Sequence, residues 1–132
     1  MSNEFARNVV DSNLTGSVTL PAAGATSFTS AVDLGAGVYK SEKYEVDVSV
    51  PATSAHTSGT LTVSLVNGST TAPTTDLGLS FTIASSTGGG SATSKRFRLP
   101  SDTLRYIRTK IVSSSATDGD CTGVSVTSKL VF

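Results

Sequence analysis

The stretch KYEVDVSV, residues 43–50, constrains the fold more than any other part of the chain. Tyr44, Val46, Val48 and Val50 fall on one side, and Glu45, Asp47 and Ser49 on the other. A two-residue period of this kind belongs to a strand with one face in a core and the other in water. The same alternation returns along the chain. It appears in TGSVTL, TSFTSAVDL, GTLTVSLV, LSFTIA, KRFRL, RYIRTKIV and GVSVTSKLVF. No segment carries a 3.6-residue apolar stripe. The connectors PAAGA, GAGVYKS, PATSAHTSG, NGSTTAPTTD, SSTGGGSATS, PSDT and SSSATDGD are rich in turn-forming residues. About eight short strands, each with one apolar face, predict an all-β fold: an antiparallel two-sheet β-sandwich, jelly-roll-like. Ser and Thr make up 42 of the 132 residues, and Val is abundant, which suits pleated, half-buried surfaces.

The length fits a single domain. Residues 14–132 are expected to form the sandwich. Residues 1–13 show neither period and are expected to be an N-terminal arm, with Phe5, Arg7, Val9 and Val10 as its contact residues. No apolar run is long enough to span a bilayer, and the first residues lack a signal-peptide pattern, so the expected partners include no membrane. The reading is of a protein that folds in the cytosol and is not exported by the usual route.

Net charge is zero but unevenly spread: residues 1–80 sum to −4 and residues 81–132 to +4. Lys95, Arg96, Arg98, Arg105, Arg108 and Lys110 crowd into sixteen positions, opposed only by Asp102. Nucleic-acid binding would use such a ribbon, but net neutrality and the scarcity of interleaved aromatics argue for no nucleic acid. Two readings stay open: a solvated strand face, kept unsticky by charge, or a protein interface. The arginines of KRFRL extend the charged surface of RYIRTKIV if the two strands lie close.

Catalytic and metal chemistry find little support. His56 stands alone in a small-residue loop and is expected to be exposed. There is no G-x-S-x-G elbow. Cys121, the one cysteine, cannot form an intrachain disulfide, and with a single distant histidine it offers no zinc-ligand spacing, so it is expected to be a buried structural thiol. Asp118 and Asp120 lack the further acids of a calcium loop and read as a polar turn. Gly88, Gly89 and Gly90 are not followed by a phosphate-loop Lys-Ser/Thr pair and read as a mobile hairpin tip. No cofactor and no metal are expected. A sugar platform would want exposed aromatic faces, but the chain has no Trp and its tyrosines, Tyr39, Tyr44 and Tyr106, are scattered.

Three stretches, in order, carry a family resemblance: AVDLGAG at 31–37, SGTLTVSLVNGS at 58–69, and KRFRLPSDTLRYIRTKIVSSSATDGDCTGVSVTSKLV at 95–131. Together they resemble the capsid cement, or decoration, proteins of short-tailed bacteriophages, of the Bordetella phage type. In that family a V-x-DLG segment leads into the first long strands. A GTLTVSL-like strand follows, then an F-R-LP…RY-x-R strand and a final G-x-V-T-x-x-LV strand. The resemblance implies a jelly-roll-like sandwich without catalysis on the outer surface of an icosahedral phage head. Its implied partners are the major capsid protein and itself, as a homodimer or homotrimer. On that basis Arg96, Arg98, Arg105, Tyr106, Arg108 and Lys110 become candidates for a capsid or subunit interface. The alternative function is an adhesion or receptor/glycan-binding module of a phage tail or fibre.

Overall fold

The structure, a computed structural model, describes residues 10–34 and 44–131, with side chains from Thr15 onward. Among the described residues nine strands follow one another: β1 Val10–Thr19, β2 Thr26–Phe28, β3 Val32–Asp33, β4 Glu45–Val50, β5 Thr60–Gly68, β6 Thr75–Ala84, β7 Thr93–Arg98, β8 Tyr106–Ser113 and β9 Ser125–Val131. They form two antiparallel sheets, ordered β1-β9-β4-β7 and β2-β8-β5-β6, with β3 also on β8. β2 and β3 are halves of one broken strand, since both pair with β8. Counted as one, they leave eight strands, ordered first–eighth–third–sixth and second–seventh–fourth–fifth. That is two Greek keys wound into a jelly roll. Among the described residues no helix is long and apolar enough to cross a membrane.

The alternation read from the sequence decides which side chains meet between the sheets. Val46, Val48 and Val50 of β4, with Val126 and Leu130 of β9, face Leu61, Val63 and Leu65 of β5 and Ile107 and Ile111 of β8. Val48, Val63, Ile111 and Val126 have no exposed surface. Phe81 on β6 and Phe97 on β7 stack with ring centroids 6.1 Å apart, closing the sandwich where these two edge strands face each other. Thr109 and Ser128 are buried polar residues of the interior layer. Thr109 also receives the β2–β3 break, donating its amide to the Thr29 hydroxyl at 2.9 Å and accepting from the Thr29 amide at 2.9 Å.

Residues 10–13, assigned by the sequence to the arm, run as the first part of β1, and Val10 pairs with Val131. Phe5, Arg7 and Val9 lie outside the described residues.

Two edges carry devices that discourage further pairing. On β7, Lys95 stands opposite Val48, on the side of the strand that faces the interior, yet remains exposed. On β6, the register shifts opposite Ser64 and Val66, and Gly78 takes a φ of 78° with its amide on the Asp76 carboxylate at 2.8 Å.

Candidate functional site

β7 and β8 belong to different sheets, so the basic ribbon does not form one surface. Arg96 and Arg98 point out from the four-stranded sheet. There they meet acids of the neighbouring β4: Arg96 is 3.8 Å from Glu45 and 3.5 Å from Asp47, and Arg98 is 3.7 Å from Glu45. Such solvated pairs contribute about 0–1 kcal/mol each. Their effect is to neutralise the face. The expectation that KRFRL extends the charged surface of RYIRTKIV is therefore corrected: a period of two assigns a face within a sheet but not the sheet.

The other half of the ribbon lies on the five-stranded sheet. The inward set Ile107, Thr109 and Ile111 is buried, while Tyr106, Arg108 and Lys110 are half-buried on the outer face. Arg108 is consumed by the fold. Its guanidinium lies 3.8 Å from the centroid of the Phe28 ring, and its Nε donates to the Pro73 carbonyl at 2.8 Å. The β5–β6 loop thereby folds back over this face, leaving Val66 only 1% exposed although it points outward. Lys110 stands between Phe28 and Ser64 in register and makes no ion pair among the described residues.

The β7–β8 connection gathers the remaining candidates at one end of the sandwich. Arg105 grips Asp33 with two parallel bonds, Nε to Oδ1 at 2.8 Å and Nη2 to Oδ2 at 2.9 Å, and its guanidinium lies 5.1 Å from the Tyr106 ring centroid. The carboxylate hydrogen bond raises the Arg105 pKa above its already high ordinary value. Leu104, beside it, is the one large hydrophobic residue exposed among the described residues, at 45%. Its backbone is held firmly. The Leu104 amide donates to the buried Asn67 side chain at 2.8 Å, and Asn67 in turn donates to the Thr75 carbonyl at 3.0 Å. One residue earlier, Thr103 donates its hydroxyl to the Pro100 carbonyl at 2.7 Å, and the Leu34 amide donates to the Arg105 carbonyl at 2.8 Å. The result is an apolar knob on a fixed turn, flanked by a fixed arginine and a tyrosine. Sequence reading named Arg105 and Tyr106 but passed over Leu104, whose exposure depends on Asn67, far away in the chain.

The opposite end overturns three expectations. His56, expected to be exposed, has no exposed surface. Its Nδ1 lies 2.7 Å from Oδ2 of Asp118, and its Nε2 donates to the Ile83 carbonyl at 2.9 Å. Asp118, expected to sit in a plain polar turn, has a side chain only 1% exposed. Its Oδ1 accepts from the amides of Thr57 at 2.8 Å, Ser58 at 3.2 Å and Gly119 at 2.9 Å. Burial alone would raise the Asp118 pKa; the bonds from His56 and these three amides outweigh it and hold the carboxyl below its ordinary value. Gly88–Gly90, expected to be a mobile tip, is docked. Gly90 exchanges backbone bonds with Thr53 at 2.8 and 3.1 Å. A Cβ on Gly89, whose φ is 95°, would collide with the Thr53 carbonyl. The β4–β5, β6–β7 and β8–β9 loops are thus pinned around one histidine.

Cys121 is buried as expected, with its sulfur 3.9 Å from Oδ2 of Asp118. Burial pushes its thiol pKa up, and the charges of Asp118 and Asp120 push it further. This cluster does not form a Cys–His–Asp catalytic triad. Such a triad needs one ring nitrogen facing the nucleophile, and here both nitrogens of His56 are already engaged. Outside the cluster the same end is lined by hydroxyls that satisfy one another: Ser58, Ser115 and Thr117 lie 2.9 to 3.1 Å apart. Tyr44 and Tyr106 belong to the Leu104 end, and Tyr39 lies outside the described residues.

No protein-family model matches the chain, and no curated protein matches it. Among solved structures it is similar to a crystal structure of PirA, with 13% identity over 91% of this chain and 95% of that one and a TM-score of 0.49. It is also similar to a CBM4 structure, with 10% identity over 80% of this chain and 70% of that one and a TM-score of 0.41. Neither likeness bears on the chemistry of this chain, which is a β-sandwich of two antiparallel sheets.

Proposed function

We propose that this chain is a structural binding module, a cement protein that decorates the outside of an icosahedral phage head and bridges its major capsid subunits. The observation that carries the reading is the Leu104 tip. An apolar side chain held at 45% exposure by a pinned backbone, with an oriented arginine and a tyrosine beside it, has the composition of an interface centre. The Leu104 backbone and the Arg105 guanidinium are already fixed, which lowers the cost of docking. The family resemblance of 31–37, 58–69 and 95–131 supplies the kind of partner. The shell repeats its subunits, so an oligomer of this chain engages several at once and weak contacts add up.

Sedimentation of the purified protein with undecorated heads tests the reading. Binding at low salt that saturates at a fixed copy number is expected, together with weakening as exposed charge is screened. Absence of co-sedimentation overturns it. Sugar binding on a glycan array without shell binding would favour an adhesion module instead.

A further inference from the structure

The His56–Asp118 contact has an electronic requirement. Nε2 of His56 donates to a carbonyl, so Nε2 carries a hydrogen and Nδ1 of the neutral ring presents a lone pair. Oδ2 of Asp118 presents lone pairs too, only 2.7 Å away. Two lone pairs at that distance need a cation between them. A proton suffices for the pair alone, but a third donor lies beside them. The sulfur of Cys121, the Nδ1 of His56 and the Oδ2 of Asp118 all lie within 4.8 Å of one another. All three side chains are withdrawn from water, at 0%, 1% and 1% exposure.

Imidazole nitrogen, carboxylate oxygen and thiolate sulfur are the donors zinc takes in tetrahedral sites. The supporting shell of such a site is also present. The Ile83 carbonyl sets the histidine tautomer, as outer-shell acceptors do for metal-bound histidines. The amides of Thr57, Ser58 and Gly119 hold Oδ1 of Asp118 and leave Oδ2 directed at the other two donors. From sequence alone the histidine and the cysteine are too far apart to suggest this; the β4–β5 and β8–β9 loops close the distance.

We infer that His56, Asp118 and Cys121 form a buried three-ligand site for Zn2+. The ion replaces the proton shared by His56 and Asp118 and also displaces the thiol proton of Cys121. Two protons leave as two positive charges enter, so the net charge of the site is unchanged. The site lies at the end of the sandwich away from Leu104 and ties the β4–β5 and β8–β9 loops together, so it is independent of the docking surface.

The test uses the full chain, unfolded and refolded with Co2+ as the spectroscopic probe and then with Zn2+. Expected are one equivalent of tightly held Co2+, a sulfur-to-cobalt charge-transfer band, bleaching of that band by Zn2+, and a higher melting temperature with Zn2+. Cys121→Ser, checked for folding by circular dichroism, is expected to lose the band and the thermal shift. Failure of the refolded chain to hold one equivalent overturns the inference. So does metal uptake in Cys121→Ser equal to that of the unaltered chain, because the ion would then sit elsewhere.

Discussion

The hydroxyls of Thr109 and Ser128 meet at 2.5 Å between the two sheets, a buried polar contact in an otherwise apolar layer. Thr109 is 0% exposed and Ser128 6%. Each satisfies the other. Thr109→Val leaves Ser128 without this partner and is expected to cost about 1–3 kcal/mol. Thr109→Val combined with Ser128→Ala removes both polar groups and should recover part of that loss. Urea unfolding of the two single variants and the double variant gives the coupling; strictly additive losses would refute it.

Removing the His56 ring takes away the partner of a buried carboxylate and leaves a hole among three loops. His56→Ala is expected to cost about 3–5 kcal/mol, in the range for breaking one side of a buried pair. Asp118→Asn keeps a hydrogen-bonding oxygen for the amides and should cost less. Denaturant midpoints measured on metal-free protein order the two.

Acid should loosen this end. The folded Asp118 carboxyl titrates below its ordinary value, so its stabilising contribution is complete above the unfolded value of about 4 and is lost as pH falls through the folded one. With a chelator present, the melting temperature is expected to drop on acidification below about pH 4, and Asp118→Asn to flatten that drop. An identical acid slope in both proteins would place the effect on other carboxyls.

Neighbouring residues of the ribbon should separate binding from folding. Leu104→Ser and Arg105→Ala touch exposed groups and are expected to leave stability within about 0.5 kcal/mol. Head binding should weaken by roughly thirtyfold for Leu104→Ser if it behaves as an interface centre, the equivalent of about 2 kcal/mol. Arg108→Ala should instead cost about 1–2 kcal/mol of stability, because its guanidinium stacks on Phe28 and holds Pro73. Paired co-sedimentation and thermal melts distinguish the two classes.

Adjacent glycines should differ sharply. Gly89→Ala meets both an unfavourable φ and the Thr53 carbonyl, and is expected to cost about 2 kcal/mol or more. Gly88→Ala meets only the Ser86 hydroxyl at 4.0 Å and should change the melting temperature little.

Much of the fold is legible in local spacing. KYEVDVSV, GTLTVSLV and RYIRTKIV form strands with the expected inward residues, because each alternation is a property of a few adjacent positions. TSFTSAVDL reads as one strand but is divided, since Thr29 turns aside to bond Thr109 on β8. The functional reading suffers from the same locality. Arg96 and Arg108 look alike in sequence, yet Asp47 neutralises one and Phe28 and Pro73 absorb the other. His56 looks like a loop residue because its partners, Ile83 and Asp118, are 27 and 62 positions away.

Those separations also bear on how the chain reaches its final form. The contacts around His56 need the ends of β4, β6 and β8 to be in place already, and closing long loops costs entropy before any contact repays it. The end held by His56 therefore consolidates after adjacent pairs such as β5 with β6, which can zip early. A nascent chain would carry its imidazole and its thiol exposed until translation and winding are complete. In hydrogen exchange after refolding begins, the amides of Thr57 and Gly119 should gain protection after that of Val63.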